Sequence, residues 1–291
     1  EDDGGDPRTA ALAAQRLATQ DIVGVIGTYG SSITEAAQNI YDEAKIIQVA
    51  NGSTAIRLSE KGMKYFFRTC PRDDEQARVA AQTIENMGFK QVAIVHDNTT
   101  YAKGLADEAR SLLNANKDIE IVYFEAIVPG ERDYTAILTK MKGFNPDVVF
   151  FTGYYPEAGL LLRQKQEMNW NVPFIGGDAT NNPDLVKIAG KEAAAGFYFL
   201  SAPLPKDLPS AEAKKFLDAF SEKYGNPPSS IYAVLAGDGF RVLVHAIAET
   251  KSTDPDKVAD YLHNDIKDFP GLTGNISFDD KGDRVGEVYR V

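Results

Sequence analysis

Small and hydroxylated residues follow two neighbouring predicted strands, at the point where each strand ends. The first such segment is Tyr29-Gly30-Ser31-Ser32, and the second is Gly52-Ser53-Thr54. Each leads into a predicted helical stretch, where backbone N–H groups and the positive end of the helix dipole favour an anion. Together with the hydroxyl groups, these loops form a candidate site for a carboxylate or phosphate. The alternative is that Ser32 and Thr54 serve only as helix N-caps.

Aromatic and acidic residues follow three later predicted strands. Tyr101 and Tyr154 would offer an apolar face and a hydroxyl group to a ligand, although aromatic residues at strand ends are also ordinary core residues. Asp178 directly follows another strand. Its carboxylate would bind an ammonium group by charge-assisted hydrogen bonds, or it would simply be a solvated turn residue.

Motifs for large phosphate cofactors do not occur in the sequence. There is no Gly-x-x-x-x-Gly-Lys-Ser/Thr, and no Gly-x-Gly-x-x-Gly opens a helix. A small carboxylate therefore fits the two hydroxylated loops better than a nucleotide, and we expect no cofactor.

The sequence likewise offers no catalytic or metal site. It lacks a Gly-x-Ser-x-Gly elbow, a His-x-x-x-His pair and paired cysteines. Asp279, Asp280 and Asp283 lack the spacing of a calcium loop and are interpreted as a β-turn. None of the three histidines has a partner that suggests a triad: His96, His245 and His263.

The charge balance limits the partners. The 291 residues include 31 Lys and Arg against 42 Asp and Glu, a formal charge of −11. That excess repels phosphate backbones, so we expect no nucleic acid. No stretch of the sequence resembles a membrane span, and we expect no membrane insertion. Cys70 is the only cysteine, so an internal disulfide is excluded, and we interpret Cys70 as a buried apolar residue.

Predicted strands and helices alternate along most of the chain, which indicates an α/β fold with largely parallel sheets. Two α/β blocks divide near Pro71, and Ser201–Pro209 is the best candidate for a second crossing. The predicted strands are Asp21–Thr28, Lys45–Asn51, Tyr65–Cys70, Gln91–Asp97, Ile119–Ile127, Asp147–Tyr154, Val172–Gly177, Gly196–Ser201, Gly274–Phe278 and Gly286–Val291.

The chain resembles the type I periplasmic binding proteins, most closely those for branched-chain amino acids. Each matching motif is weak alone, but the set runs in order through nearly the whole chain. The motifs include Asp2-Asp3 with Asp6-Pro7, Val25-Ile26-Gly27, Ser31-Ser32, Ser53-Thr54-Ala55, Phe67-Arg68-Thr69, Ala93-Ile94-Val95-His96-Asp97 followed by Tyr101, Gly153-Tyr154-Tyr155-Pro156-Glu157, Phe174-Ile175-Gly176-Gly177-Asp178 and Phe278-Asp279 with Gly282-Asp283.

This resemblance implies two doubly wound, Rossmann-like lobes joined by a hinge, with a ligand gripped in the cleft between them. Lobe 1 would comprise residues 1–72 and 202–281, and lobe 2 residues 73–201 and 282–291. By position, Ser31 and Thr54 would bind an α-carboxylate with the backbone groups of Gly52 and Ser53. Asp178 would bind the α-ammonium group, and Tyr101 and Tyr154 would close the cleft from lobe 2.

The chain also departs from the family pattern. The family's first strand–helix–strand unit, about 50 residues, has no counterpart here, so we expect a gap or a foreign element in the first sheet. The polar run Glu1–Pro7 is not a signal peptide. At Asp178 the branched-chain proteins have a glutamate, which is one methylene longer.

Two classes of function follow from the resemblance. The first is a non-catalytic solute-binding protein that delivers a small amino acid to an ABC permease. Such a protein would be exported, periplasmic or extracellular, and monomeric. The second is a ligand-sensing domain of the same fold that controls a receptor or regulator. An enzyme is a third class, disfavoured because no nucleophile–base pair is evident.

Overall fold

The computed structural model describes residues 1–286 and 288–291. Its helices and strands run in chain order as α1 Pro7–Ala18, β1 Gly24–Ile26, α2 Ser31–Glu43, β2 Ile47–Ala50, β3 Phe66–Arg68, α3 Asp73–Asn86, β4 Gln91–His96, α4 Thr100–Asn114, β5 Glu120–Ala126, α5 Thr135–Lys142, β6 Val148–Phe151, α6 Tyr155–Glu167, β7 Phe174–Gly176, α7 Asp184–Ala189, α8 Lys191–Ala194, β8 Tyr198–Phe199, α9 Ala211–Tyr224, α10 Ile231–Thr250, α11 Pro255–Asn264, β9 Phe269–Gly271 and β10 Gly274–Ile276.

The chain divides into two compact units. Unit 1 comprises Glu1–Arg72 and Pro203–Glu287, and unit 2 comprises Asp73–Ala202 and Val288–Val291. Residues 282–286, which the sequence analysis assigned to the second lobe, lie with unit 1. The reason is that the Asp283 side chain binds Arg68 and Arg72, which both belong to unit 1.

Unit 2 contains a five-stranded parallel sheet in the order β5-β4-β6-β7-β8. Its central strands are apolar at consecutive positions because helices cover both faces. In β4, Val92 and Ile94 pack into one core cluster, whereas Ala93 and Val95 pack into the cluster on the opposite face. The parallel order brings the carboxyl ends of all five strands to one edge of the sheet.

Unit 1 contains a three-stranded parallel sheet in the order β1-β2-β3 and a separate β9–β10 hairpin. Strand β1 is therefore an edge strand. A cavity of about 340 Å³ lies beside it, lined among others by Val25 of β1, Leu17 of α1 and Tyr41 of α2. Strands β1 and β3 are thus the two edges of this sheet, and the expected gap stays a prediction.

Helix α10 qualifies the expectation about membrane spans. Within the described residues it is long and apolar enough to cross a membrane, with a mean hydropathy of 1.4. We expected no stretch to resemble a membrane span. By its length and composition α10 does resemble one, so that expectation is wrong. Its apolar residues Val242, Leu243 and Ala246 pack against Ile47 and Val49 of the unit 1 sheet. Those contacts are typical of a core helix.

The sequence prediction misses two short helices of unit 2. The pattern predicts no helix over residues 184–194, where the structure has α7 and α8, because helices of six and four residues show little periodicity. The predicted strand Gly286–Val291 includes Glu287, which lies outside the described residues. Near its end, Arg290 forms a β-bridge with Ser201.

A buried arginine connects the segments of unit 1. Arg68, at the end of β3, is fully buried, and its Nε donates to Asp283 Oδ1 at 2.5 Å. Its Nη1 donates to the carbonyl oxygens of Ser53 and Ala55, both at 3.0 Å. Its Nη2 donates to Ser59 Oγ at 2.7 Å. Arg68 therefore holds the loop after β2 in place by binding the carbonyl groups of that loop.

The chain reaches Asp283 through a turn that requires glycine. Gly282 has φ +78°, and a Cβ at this position would lie 2.1 Å from the carbonyl oxygen of Phe66. The Gly282 carbonyl accepts a hydrogen bond from Arg68 N at 3.0 Å. Asp279 Oδ1 accepts from the backbone N–H groups of Lys281 and Asp283, which confirms the predicted β-turn.

We expect Arg68→Met to lower the free energy of unfolding by about 3–5 kcal/mol, because it removes the fully buried partner of Asp283 and leaves Arg72 as the remaining cation. It also removes the donor to the buried carbonyl groups of Ser53 and Ala55. Chemical denaturation measures this change. Arg57→Met is the matched control. The Arg57 side chain is 60% exposed and pairs with Glu35, so its loss should cost at most about 1 kcal/mol. Similar losses in the two variants would contradict the structural role of Arg68.

Candidate functional site

The two hydroxylated loops of unit 1 contact each other directly. Ser53 Oγ donates to the Thr28 carbonyl oxygen at 2.9 Å and lies 2.7 Å from Thr34 Oγ1. Ser31 Oγ accepts from Ala55 N at 3.2 Å. Ser31 and Ser53 are both buried. The structure therefore brings Ser31, Ser53 and Thr54 into one cluster at the carboxyl ends of β1 and β2.

Thr54 is the residue of this cluster whose side-chain hydroxyl lacks a hydrogen-bond partner among the described residues. It is 0% exposed, and its Oγ1 has no hydrogen-bond partner within the part of the chain that the structure describes. A buried hydroxyl without a partner is costly, and such groups in native proteins call for an explanation. The N-cap alternatives are wrong. The N-cap of α2 is Gly30, and the 3₁₀ turn Ile56–Leu58 begins after Ala55.

Gly52 lies where the loops approach the aromatic residues of unit 1. A Cβ at Gly52 would lie 2.7 Å from Tyr29 Cδ2 and 3.2 Å from Tyr232 Cδ1. The rings of Tyr29 and Tyr232 are T-shaped, with centroids 4.7 Å apart. Glycine is therefore required here by close approach, and its backbone remains accessible to polar contacts.

In unit 2 the structure brings Tyr101, Tyr154 and Asp178 together. The ring centroids of Tyr101 and Tyr154 are 5.5 Å apart, and the Tyr101 hydroxyl lies 3.5 Å from Ala179 N. Tyr101 is buried in the unit 2 core. Burial raises the pKa of Tyr101 well above its usual value, and the nearby carboxylates of Asp178 and Asp73 raise it further.

Asp178 is only 5% exposed, so the alternative of a solvated turn residue is wrong. Its Oδ2 accepts a hydrogen bond from the Tyr289 hydroxyl at 2.8 Å. The position of Tyr289 is fixed in turn, because Glu75 Oε1 accepts hydrogen bonds from Val288 N and from Tyr289 N. A residue close to the end of the chain thus reaches a candidate ligand group.

Gln76 organises the same region, and sequence reasoning missed it. Its Oε1 accepts from Asp178 N at 2.7 Å. Its Nε2 donates to Asp73 Oδ1 at 2.8 Å and to the Tyr289 hydroxyl at 3.2 Å. No sequence signal marks Gln76 or Tyr289, because the contacts join residues up to 213 positions apart.

Asp97, directly after β4, is a further acidic residue at this edge. It is 3% exposed, and its Oδ1 accepts from Thr99 N and Thr99 Oγ1 at 3.0 and 2.7 Å. Burial raises the pKa of Asp97 despite these hydrogen bonds, and the nearby Glu157 carboxylate adds to the rise. Burial also raises the pKa of Tyr154, followed by the charges of Asp97, Asp178 and Asp73. Asp97 belongs to a motif shared with the family, but the sequence alone assigned it no role.

Metal binding has no candidate here. Among residues 1–286 and 288–291, no group of three or more His, Cys, Asp or Glu side chains is arranged to hold a metal ion. Cys70 is buried, as expected, and its Sγ lies 3.5 Å from the Ser53 carbonyl oxygen. Unit 1 brings together hydroxyls and backbone N–H groups, and unit 2 brings together tyrosines and carboxylates.

Comparisons with known proteins identify the class to which this fold belongs. The sequence profile of a family described as periplasmic binding protein matches residues 1–291. The Leu/Ile/Val-binding protein BraC3 of Rhizobium johnstonii is 34% identical over 291 residues, which cover all of this chain and 78% of the relative. A leucine-, isoleucine-, valine-, threonine- and alanine-binding protein of Pseudomonas aeruginosa is 32% identical, with 97% of this chain and 74% of the relative covered.

Solved structures agree with the sequence relatives. The substrate-binding protein LivJ of a branched-chain amino acid transporter from Streptococcus pneumoniae, solved in complex with isoleucine, superposes with a TM-score of 0.88. The identity is 33%, and the match covers 98% of this chain and 80% of that one. The chain belongs to the periplasmic binding protein family and has the type I fold, so the predicted family and fold class are confirmed. This family consists in general of solute binders that are not enzymes.

We expect Asp97 to make the folded protein less stable at neutral pH than it would be with a neutral residue. Its folded pKa lies above the unfolded value of 3.8, so the folded state binds the proton more tightly. Its contribution to stability is therefore greatest in acid and is lost as pH rises through the folded pKa. Asp97→Asn should be more stable than the wild type at pH 7, with the difference shrinking towards pH 4. Denaturation at several pH values measures this, and a constant difference would contradict it.

Proposed function

We propose that this protein binds a small amino acid of the branched-chain type and delivers it to an ABC permease, as an exported periplasmic or extracellular protein. The observation that carries the proposal is that each unit has a cluster of polar groups, and that the two clusters differ in the charge they suit. Unit 1 presents hydroxyls and helix-terminal N–H groups, which suit a carboxylate. Unit 2 presents buried carboxylates and tyrosines, which suit an ammonium group.

The unit 1 half-site binds the α-carboxylate in this proposal. Thr54 Oγ1 supplies a buried donor whose hydrogen bond is otherwise unmade. Ser31 Oγ already accepts from Ala55 N, which leaves its own O–H free to point at an anion. Gly52 and Ser53 contribute backbone groups, since the Ser53 hydroxyl is committed to the Thr28 carbonyl and to Thr34.

The unit 2 half-site binds the α-ammonium group through Asp178. Tyr289 and Gln76 hold Asp178 by its side chain and by its backbone. A buried carboxylate favours a cationic partner, because the ion is costly to bury unpaired. Tyr154 contributes its hydroxyl beside this carboxylate, whereas Tyr101 supports it from the core. Relatives whose names specify leucine, isoleucine and valine support an apolar side chain on the ligand.

We expect leucine or a similar amino acid to bind, and its keto acid, 4-methyl-2-oxopentanoate, to bind at least about tenfold more weakly, or about 1.4 kcal/mol. The keto acid keeps the carboxylate and the side chain but lacks the ammonium group. A thermal-shift screen of amino acids detects binding, because a ligand at 100 times its Kd stabilises by about 2.7 kcal/mol. Calorimetry then gives the affinities.

Asp178→Asn provides the matched variant for this experiment. It should lose more affinity for the amino acid than for the keto acid, since only the amino acid carries the cation. Equal affinities of the wild type for the two ligands would contradict the role of Asp178. If no amino acid shifts the melting temperature, the proposed ligand class is wrong.

We expect Thr54→Ala to weaken amino acid binding by about 1.5–3 kcal/mol, because the lost hydrogen bond has a charged partner. The unliganded variant should remain folded, since Thr54 Oγ1 makes no hydrogen bond within the described residues. Ser59→Ala is the contrasting variant. Ser59 Oγ binds Arg68 and Asp283, so this change should lower stability more than affinity. Unchanged affinity in Thr54→Ala by calorimetry would remove Thr54 from the site.

A further inference from the structure

One carboxylate oxygen at the ligand edge of unit 2 is buried without a partner. Asp97 Oδ1 accepts hydrogen bonds from Thr99 N and Thr99 Oγ1. Its Oδ2 is buried and has no hydrogen-bond partner among the described residues. In the same part of the chain, no ion pair includes Asp97. The folded protein therefore keeps a desolvated anionic oxygen that its own side chains do not satisfy.

The position of Asp97 connects it to the amino acid site. Asp97 follows β4, Tyr154 follows β6 by three residues, and Asp178 follows β7 by two, and these three strands are neighbours in the sheet. Ligands of parallel α/β sheets gather at the carboxyl ends of such strands. Among the nearby charges, the Asp97 carboxylate raises the pKa of Tyr154 most, followed by the Asp178 carboxylate. Asp97 and Asp178 therefore act on the same tyrosine.

The two carboxylates differ in how far the protein already satisfies them. Asp178 Oδ2 accepts the Tyr289 hydroxyl at 2.8 Å. Asp97 Oδ2 has no such donor among the described residues, and the Glu157 carboxylate raises the pKa of Asp97 by charge repulsion. An ammonium group has three N–H donors, so it can bond to two carboxylates at once. Of the two aspartates, Asp97 has the greater unmet need for a cation.

We propose that Asp97 binds the α-ammonium group of the ligand together with Asp178, and that it thereby selects amino acids over acids that lack an amino group. This inference rests on the proposed function and adds to it a second anionic residue. Binding satisfies the orphaned oxygen, so the unliganded protein accepts a destabilising buried charge that the liganded protein neutralises. Asp97 thus favours the bound state over the free state.

The test compares Asp97→Asn with Asp118→Asn, an exposed aspartate of unit 2. Calorimetry measures the affinities of both variants and of the wild type for leucine and for 4-methyl-2-oxopentanoate. Asp97→Asn should lose at least about tenfold in leucine affinity, or about 1.4 kcal/mol, and less than about threefold in keto acid affinity. Asp118→Asn should change neither value. Asparagine keeps the oxygen that accepts from Thr99, so the local turn is retained.

Stability of the unliganded variants separates ligand binding from a structural role. Asp97→Asn should be at least as resistant to denaturation at pH 7 as the wild type, while binding leucine more weakly. A variant that is less stable and that loses affinity equally for both ligands would assign Asp97 a structural role and overturn the inference. Unchanged leucine affinity in Asp97→Asn would overturn it as well. Failure of the wild type to bind any amino acid would overturn the proposed function and this inference together, which distinguishes the two cases.

Discussion

The buried ion pair between Arg68 and Asp283 is the constraint on which unit 1 depends. A guanidinium group with no exposure must have its donors satisfied, and here they reach one carboxylate, one hydroxyl and two backbone carbonyls. Two of those acceptors, the carbonyls of Ser53 and Ala55, flank Thr54. The desolvation cost of Arg68 is thereby offset by bonds that also fix the backbone around the candidate carboxylate site. Fold stability and site geometry in unit 1 share the same interaction.

Unit 2 also buries charged side chains, but neutral groups donate the hydrogen bonds described for them. Unit 2 buries three carboxylates, each at most 5% exposed: Asp73 at the start of α3, Asp97 after β4 and Asp178 after β7. The hydrogen bonds described for them come from neutral groups, such as the Tyr289 hydroxyl, the Gln76 amide and Thr99. These neutral donors position the three carboxylates. Asp97 Oδ2 has no hydrogen-bond partner among the described residues, and in the proposed site this pre-organised oxygen favours binding of a cation.

The sequence predicted which candidate residues lie together within each unit better than it predicted the contacts that hold them. Parallel strands end at one edge, so Ser31, Thr54 and Asp178 could be placed from the order of strands and loops alone. The contacts of Gln76, Tyr289 and Arg68 could not, because they join residues far apart in the chain, 215 positions in the case of Arg68 and Asp283. Burial was the other limit. Whether Asp97 and Asp178 are solvated depends on neighbouring elements, and residue type alone gives no measure of it.

Unit 2 is not a continuous stretch of polypeptide. Most of it lies in Asp73–Ala202, but Val288–Val291 also belongs to it, paired with Ser201 and held by Glu75. This short segment carries Tyr289, the hydroxyl donor to Asp178. Exchange of residues 73–202 between two such proteins would therefore transfer the sheet while leaving the tyrosine of the host in place. Ligand preference in chimeras of this kind should follow both segments, so an exchange of residues 73–202 alone would separate Asp178 from the tyrosine that evolved with it.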